Sequence, residues 1–352
     1  MAKRHSAPGK TATSDVESSL PGDRENASSG ATAASPREGA PAIKSPRRVL
    51  SGAPKPVKPR GRSRTPQPEP AFSASCLGNS RIGIIGAGAM GGALCRGLVD
   101  SRIVPANRVM VSDPHTQHVQ DLARSHGIVV ATDNCQLAST VDIIVLAVKP
   151  YNVDLVIEEI APSLNHEGGI PLIICIAAGI ATSRVEIKLA SIPEAPAAPV
   201  IRAMPNTPAQ VGKGACAYCK GTHTTPAHLA QAGDIFRSVG IAVEVPETMM
   251  DAVTALSGSG PAYIYLMIEA LVDGGVRAGL PRDIAAKLAS QTVLGAAQMV
   301  IDTGMHPAQL RDMVTTPAGT TIEAIASLEH SGLRAALIDA IGKAAARSKE
   351  LG

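Results

Sequence analysis

From Arg81 onward, short runs of consecutive apolar residues alternate with longer amphipathic stretches. Amphipathic stretches at Ala89–Asp100, Thr116–His126 and Tyr151–Ile160 predict helices. Continuously apolar runs between such stretches predict strands that are buried on both faces. These predicted strands are Arg81–Ile85, Arg108–Ser112, Ile128–Val130, Val141–Val148, Leu172–Ala177, Val200–Met204, Ala215–Tyr218 and Ile241–Val245. The alternation predicts an α/β domain over residues 81–246, built on a doubly wound parallel sheet.

Beyond Pro246 the strand pattern stops, and helices are predicted to the end of the chain, over residues 247–352. Ser259-Gly260-Pro261 begins a helix with Pro in its first turn, and Gly279 ends that helix before Pro281 begins the next. The runs Ala262–Ala270 and Ala285–Ile301 are apolar on more than one face. A small helical domain cannot bury all of this surface alone, so we expect a partner subunit.

The first 80 residues differ from the rest of the chain in composition. They contain 13 Lys and Arg against 6 Asp and Glu, a net charge of +7, whereas the remainder carries −4. They are rich in Pro, Ser, Gly and Ala and have few large apolar residues before Leu77. Such a segment cannot bury enough surface to repay the entropy lost on ordering, so residues 1–80 are predicted to be a disordered tail.

A glycine pattern follows the first predicted strand directly. Ile82–Gly92 reads I-G-I-I-G-A-G-A-M-G-G, in which Gly86, Gly88 and Gly91 form G-x-G-x-x-G at the start of a helix. The first glycine permits a tight turn, the second lets a pyrophosphate approach, and the third allows the helix to pack closely on the strand. This context predicts a Rossmann-type dinucleotide site.

Asp113 ends the second predicted strand, 22 residues after Gly91. An acid at this position normally accepts a hydrogen bond from the adenosine ribose, which favours NADH, whereas a nearby Arg favours NADPH. Because His115 follows here, the pattern leaves the choice between NADPH and NADH open.

A second motif lies far downstream, where Val314–Ile322 reads V-T-T-P-A-G-T-T-I. Thr320 and Glu323 have the spacing of a capping box, which predicts that Thr320 caps a helix. Free backbone N–H groups and the helix dipole make such a start a site for a small anion, for example a substrate carboxylate. An ordinary capped surface helix has the same sequence features.

Six cysteines are scattered through apolar elements, and no cluster has the spacing of a metal site, so no metal is expected. Cys216 and Cys219 have the spacing of a redox motif but lie in a strand-like run, which favours core thiols in a reducing compartment. No run of 18 apolar residues is present, so no membrane span is expected. Together these features favour a cytoplasmic protein.

Six motifs, in order along residues 81–352, identify a family. They read I-G-A-G-A-M, L-A-V-K-P, I-A-A-G, M-P-N-T-P, L-S-G-S-G-P-A-Y and D-M-V-T-T-P-A-G-T-T-I, beginning at Ile85, Leu146, Ile176, Met204, Leu256 and Asp312. In this combination the chain resembles pyrroline-5-carboxylate reductase. The resemblance implies NAD(P)H-dependent reduction of 1-pyrroline-5-carboxylate, a cyclic imine carboxylate, to L-proline, which is the final step of proline biosynthesis.

The resemblance also implies site residues. Thr321 is expected to be catalytic by hydrogen-bonding the ring nitrogen, and the substrate is expected to lie against Thr316, Gly319, Thr320 and Thr321. The implied cofactor contacts are Ile85, Gly86, Ala87, Gly88, Ala89, Met90, Gly91, Asp113, Asn134, Ala147, Val148, Lys149, Pro150, Ile176, Ala177, Ala178 and Met204.

The family pattern further implies a helical dimerisation domain. Its subunits interlock as homodimers that often assemble further, and the site lies between the Rossmann domain of one subunit and the helices of another. Two positions depart from this pattern. The family usually has Gly where this chain has Ala318, and it often has an acid beside the His306-Pro307 pair, where this chain has Gly304-Met305. Ala at a position that requires positive φ costs about 1 kcal/mol.

Two other functions are compatible with parts of the sequence. Lys149 follows a strand on the cofactor side, where a hydroxyacid dehydrogenase of similar architecture carries its catalytic lysine. The basic tail is also compatible with a non-catalytic nucleotide sensor that recruits nucleic acid, although a solvated linker is favoured. A protonated C=N bond needs little acid–base catalysis, and the six motifs contain no His/Asp or Cys/His pair, which favours the reductase.

Overall fold

The computed structural model describes residues 75–351. The predicted tail therefore falls outside the described residues except for its last six. Among these six, Leu77 is 1% exposed, and the Cys76 N–H donates to the Asp234 carboxylate over 2.7 Å. Residues 75–80, predicted as the end of the tail, include Leu77, whose side chain is buried in the core.

Eight strands within the described range form one sheet. They are β1 (Ile82–Ile85), β2 (Val109–Ser112), β3 (Val129–Val130), β4 (Ile143–Leu146), β5 (Leu172–Cys175), β6 (Val200–Met204), β7 (Gly214–Lys220) and β8 (Gly240–Glu244). The helices of this region are α1 (Ala89–Asp100), α2 (Thr116–His126), α3 (Asn134–Ala138), α4 (Val153–Ile160), α5 (Thr182–Ala190) and α6 (Pro226–Arg237). All eight predicted strands are present with small shifts at their ends.

The sheet has the order β3-β2-β1-β4-β5-β6-β7-β8. Strands β1 to β6 pair in parallel, and Ile85 lies opposite both Ser112 and Leu146. Strand β7 pairs antiparallel with β6 and parallel with β8, so the last two strands are reversed. Apolar runs do not encode strand direction, and the predicted fold holds with this antiparallel addition.

Alternate side chains of the central strands enter two separate cores. Ile84 and Val145 pack on one face of the sheet, under α1, α2 and α6, whereas Ile144 and Leu146 pack on the other, under α3, α4 and α5. All four side chains are completely buried. Burial on both faces explains why these strands are apolar at consecutive positions.

Helices make up the remainder of the described chain. They are α7 (Met250–Val253), a π-helical turn at Thr254–Gly258, α8 (Gly260–Arg277), α9 (Arg282–Thr303), α10 (Pro307–Met313), α11 (Thr320–His330) and α12 (Leu333–Leu351). As predicted, α8 ends before Gly279 and α9 follows Pro281. The His306 side chain caps α10 by accepting from the Ala308 N–H.

Large apolar side chains of these helices remain uncovered in the single chain. Leu266, Ile301 and Ile338 are each about two thirds exposed or more, at 68%, 73% and 67%. Two continuous helices, Glu247–Arg277 and Arg282–Thr303, are long and apolar enough to cross a membrane by length and composition alone. The same properties are expected of helices that pack against another subunit.

Candidate active site

The carboxyl ends of β1, β2, β4, β5 and β6 lie along one edge of the sheet because these strands are parallel. In open α/β sheets, ligands bind at this edge. The structure brings the predicted cofactor residues together here: the Ile85–Gly91 loop after β1, Asp113 after β2, Ala147–Pro150 after β4, Ile176–Ala178 after β5, and Met204 at the end of β6.

The three glycines of the loop after β1 have different surroundings. Gly86 has φ +106°, and a Cβ there would lie 2.6 Å from the Ala147 carbonyl oxygen. A Cβ on Gly91 would lie 1.9 Å from the Gly86 carbonyl oxygen. By contrast, a Cβ on Gly88 would meet no heavy atom within 4 Å. The first and third glycines are therefore required by the fold, and the second leaves an open space at the start of α1 that fits a pyrophosphate.

Asp113 holds the glycine loop in place. One carboxylate oxygen accepts from the Ala87 N–H over 2.6 Å, and the other accepts from the His115 N–H over 2.7 Å. Each oxygen keeps a further lone pair, so the carboxylate can still accept from a ribose hydroxyl. The residue is partly exposed at the edge where such a ribose would lie.

The other predicted cofactor residues are less uniform. Asn134 is the first residue of α3, and its amide donates to the Glu159 carboxylate over 2.7 Å. Lys149 is exposed after β4, whereas Ile176 and Ala177 are buried and contribute mainly backbone to the edge. Met204 is partly exposed and packs against Gly258, where an added Cβ would lie 2.7 Å from the methionine methyl carbon.

The downstream motif forms a tight turn followed by a helix. The Gly319 N–H donates to the Thr316 carbonyl over 3.0 Å, which closes a turn with Pro317 and Ala318 at its centre. Ala318 has φ +56°, and positive φ at the third position, after Pro, is the geometry of a type II turn. The departure from Gly at this position therefore places Ala in a strained conformation, as predicted.

The predicted cap at Thr320 was wrong. Gly319 is the N-cap of α11, with φ −79° and ψ 165°, and no side chain caps the helix. The turn leaves Gly319 extended, so the helix begins one residue earlier than the capping-box spacing indicated. Thr320 is consequently the first helical residue, and Thr321 is the second and partly buried.

The helix start keeps the properties of an anion site. The Thr320, Thr321 and Ile322 N–H groups precede the first intrahelical bond, which the Glu323 N–H makes to the Gly319 carbonyl. Thr316 lies beside Gly319, where an added Cβ would come 2.3 Å from its hydroxyl oxygen. The structure thus brings Thr316, Gly319, Thr320 and Thr321 together around one helix terminus.

Comparisons with known proteins identify the family of the chain. Residues 247–351 match the family model described as pyrroline-5-carboxylate reductase dimerisation, and residues 81–179 match the model described as NADP oxidoreductase, coenzyme F420-dependent. A pyrroline-5-carboxylate reductase of Methanosarcina acetivorans is 47% identical over 78% of this chain and 98% of its own. One of Arabidopsis thaliana is 43% identical over 77% and 95% of the two chains.

Solved structures show the same likeness. A pyrroline-5-carboxylate reductase from Coxiella burnetii has a TM-score of 0.72 and 37% identity, and it covers 78% of this chain and 99% of its own. The Plasmodium falciparum pyrroline carboxylate reductase with NADP bound has a TM-score of 0.67 and 33% identity, covering 78% and 98%. The chain belongs to the pyrroline-5-carboxylate reductase family.

The reductase therefore catalyses the NAD(P)H-dependent reduction of 1-pyrroline-5-carboxylate to L-proline, the final step of proline biosynthesis. Its cofactor is NADPH or NADH. Family membership decides against the hydroxyacid dehydrogenase and against a non-catalytic nucleotide sensor. Among residues 75–351, no group of three His, Cys, Asp or Glu side chains is arranged to hold a metal ion.

Beside the glycine loop, the reductase has a cavity that sequence reasoning missed. The cavity has a volume of about 360 Å³ and lies between Gly88 and the facing sides of α1 and α2. Arg96, His118 and His126 line it together with Asp121. A cationic side chain near the glycine loop can pair with a phosphate group. Arg96 is eight residues beyond Gly88, on the third turn of α1, where no motif marks it.

A buried arginine, also missed, joins the sheet of the reductase to its helices. Arg202 of β6 is 8% exposed and lies 3.6 Å from the Glu247 carboxylate and 3.9 Å from that of Asp251. Glu247 accepts from both the N–H and the hydroxyl of Thr182, and Asp251 accepts from Ser348 near the end of α12. A single charge within the apolar run Val200–Met204 was the available signal, since buried charges require partners.

The two cysteines with redox-motif spacing are core residues of the reductase, as predicted. Cys216 and Cys219 are free and almost completely buried in β7. Burial raises the pKa of the Cys216 thiol, and burial together with the charge of Glu247 raises the pKa of Cys219 to about 12. Both remain protonated thiols at neutral pH, which excludes them as thiolate nucleophiles.

Proposed function

We propose that the dinucleotide binds along the carboxyl edge of the sheet, with its pyrophosphate over Gly88 and its adenosine ribose at Asp113. The open space at Gly88 and the spare lone pairs of Asp113 support this assignment. The nicotinamide end then lies toward the ends of β4, β5 and β6, where Ala147–Pro150, Ile176–Ala178 and Met204 border it.

The imine binds at the start of α11. Its carboxylate accepts from the free N–H groups of Thr320 to Ile322, in the favourable field of the helix terminus. The observation that carries this proposal is the start of α11 directly after the type II turn at Pro317-Ala318, where no acceptor in the described residues bonds the N–H groups of Thr320 to Ile322. Thr321 is partly buried beside them, and its hydroxyl accepts from the protonated ring nitrogen.

Bound NADPH or NADH supplies the hydride that reduces the imine carbon. The residues of the chain orient the two reactants: the α11 terminus fixes the carboxylate, and Thr321 fixes the ring nitrogen. Orientation of this kind can lower a barrier by about 7–11 kcal/mol. Because the protonated C=N bond is already electrophilic, the site needs no separate acid, and no His/Asp or Cys/His pair is found among its proposed residues.

The complete site forms between two subunits of a homodimer. In the described range, no hydrogen bond or ion pair joins the Asp312–Ile322 segment to residues 81–246. The helices around Leu266 and Ile301 carry exposed apolar surface, and both membrane-length helices fall inside residues 247–351, which match the dimerisation family model. A second subunit, rather than lipid, covers these faces and brings its α11 to the dinucleotide.

Assembly beyond a dimer and a cytoplasmic location are further parts of this proposal. The free cysteines of the described residues agree with a reducing compartment. No nucleic-acid partner is proposed. The basic part of the tail, residues 1–74, lies outside the described residues. Immunodetection in soluble and particulate cell fractions tests the location: we expect the protein in the soluble fraction.

The role of Thr321 is tested by Thr321→Val, which keeps the side-chain shape and removes the hydroxyl. Loss of a hydrogen bond to a charged group costs about 1.5–3 kcal/mol, so kcat/KM for the imine should fall roughly ten- to hundredfold. Dinucleotide affinity should change little. Thr315→Val is the matched control, because its hydroxyl bonds only the Arg311 carbonyl, over 2.8 Å. Equal losses in the two variants would contradict the assignment.

A further inference from the structure

The helix that leads from α7 into α8 contains an irregularity. Residues Thr254–Gly258 form one π-helical turn, in which the Ser259 N–H donates to the Thr254 carbonyl over 2.8 Å. Pro261 follows within the first turn of α8. Proline has no N–H, so it cannot donate to the carbonyl four residues earlier, which belongs to Ser257. The next N–H, that of Ala262, bonds the Ser259 carbonyl instead.

The Ser257 carbonyl is satisfied from another part of the chain. Asn206 lies two residues beyond β6, is 8% exposed, and donates from its side-chain amide to this oxygen over 2.9 Å. The amide oxygen of Asn206 accepts from the Ala215 N–H over 2.8 Å. Because the Ala215 N–H can only donate and the Ser257 carbonyl can only accept, these two groups determine the orientation of the Asn206 amide.

The π-helical turn at Thr254–Gly258 lies against the proposed nicotinamide end of the site. Gly258 approaches Met204 so closely that a Cβ would come within 2.7 Å of the methionine methyl carbon. Met204 ends β6, two residues before Asn206. Single π-helical turns inside α-helices occur frequently at functional sites. A shift of the turn at Ser257-Gly258 would therefore move Met204 or open the contact.

We propose that Asn206 is a positioning residue of the reductase, whose amide supplies to the Ser257 carbonyl the hydrogen bond that Pro261 cannot donate and so holds the π-helical turn at Thr254–Gly258 against Met204. This proposal rests on the proposed function for the place of the nicotinamide at the ends of β4 to β6. It assigns the M-P-N-T-P and L-S-G-S-G-P-A-Y motifs one shared structural task, since the first provides the donor and the second the acceptor.

The test is a double-mutant cycle of Asn206→Asp and Pro261→Ala in the full-length oligomer. The assays are run at pH 8, far above the ordinary pKa of aspartate; the ionised carboxylate can still accept from the Ala215 N–H but cannot donate to the Ser257 carbonyl. Alanine at position 261 restores an N–H that can donate to the Ser257 carbonyl. Asn107→Asp, at an exposed position outside the site, controls for the added charge.

We expect Asn206→Asp to lower kcat for imine reduction about tenfold, because the Ser257 carbonyl loses its partner and the turn against Met204 is no longer held, while the Kd of NADPH changes less than about threefold. In the Pro261→Ala background, the same substitution should lower kcat no more than about threefold. In the dinucleotide-free protein, amide exchange over residues 254–262 should accelerate in Asn206→Asp and return toward the Pro261→Ala rate in the double variant.

An equal effect of Asn206→Asp in both backgrounds would overturn the proposal, because the substitution would then act through Ala215 or through charge. An unchanged kcat and exchange rate in the single variant would overturn it as well. If Asn206→Asp does not fold, recovery of soluble protein by Pro261→Ala supports the proposal and failure to recover contradicts it. Failure of the proposed function is distinguishable, because Gly88→Val would then keep its affinity for NADPH, or Thr321→Val its kcat/KM for the imine, whatever the effect of Asn206→Asp.

Discussion

The two regions of the reductase differ in how completely a single chain buries its apolar residues. In the sheet region, Ile84, Ile144 and Phe236 are completely buried, because helices cover both faces. In the helical region, Leu266 and Ile301 are 68% and 73% exposed. A doubly wound sheet closes its core within one chain, whereas α8 and α9 leave apolar faces that a second chain must cover. Cofactor binding and assembly are therefore separable by mutation.

The largest expected effect comes from a charge on the uncovered helical face. Leu266→Asp would bury an unpaired carboxylate in the subunit interface, and a cost of about 3 kcal/mol weakens association more than about a hundredfold. Leu155→Asp is the matched control, because Leu155 is similarly exposed, at 63%, on α4 of the sheet region. Sedimentation should show monomers for Leu266→Asp only. The imine-reduction assay should show a loss of activity for the same variant only. Intact, active oligomers of Leu266→Asp would place the interface elsewhere.

Gly88→Val should abolish dinucleotide binding without disturbing the sheet or the oligomer. Its side chain would occupy the open space at the start of α1, where an added Cβ meets no protein atom within 4 Å. Gly91→Val should prevent folding instead, because its Cβ would lie 1.9 Å from the Gly86 carbonyl oxygen. Calorimetric titration with NADPH, together with circular dichroism, distinguishes the two outcomes. Unaltered NADPH affinity in Gly88→Val would mean that the pyrophosphate binds away from this loop.

A smaller effect is expected at the edge of the sheet region. Deletion of residues 1–74 should leave the unfolding midpoint unchanged and kcat/KM within a few-fold of the value for the full chain, since the described site residues all lie beyond Ser75. Deletion of residues 1–78 also removes Leu77, which is 1% exposed, and loss of a buried leucine side chain costs about 2–5 kcal/mol. Thermal unfolding of the two truncated proteins measures the difference. Equal midpoints would show that Leu77 contributes little.

Local sequence patterns predicted the features of the fold that depend on neighbouring residues. The spacing of Gly86, Gly88 and Gly91 predicted the loop, and continuous apolar runs predicted every strand. The five-residue helix α3, Asn134–Ala138, was missed because it is too short to show a helical period. The reversal of β7 was missed because strand direction depends on connections that apolar patterns do not record.

The site was predicted less completely, because several of its contacts join distant segments. The capping-box spacing of Thr320 and Glu323 was present, yet the turn at Ala318 made Gly319 the cap. Local spacing carries no information about that competition. The bond between Asn206 and Ser257 spans 51 residues, and only the tertiary structure shows that the donor in one motif serves the acceptor in another.

In the proposed dimer, each site combines the dinucleotide edge of one subunit with the α11 terminus of its partner. Complementation between Gly88→Val and Thr321→Val subunits, mixed in equal amounts, unfolded and reassembled together, tests this sharing of the site. Half of the randomly formed dimers are mixed, and each mixed dimer has one site without either substitution. Activity should therefore recover to about a quarter of the wild-type value. Activity no greater than the mean of the two separate variants would contradict the claim and place the whole site within one chain.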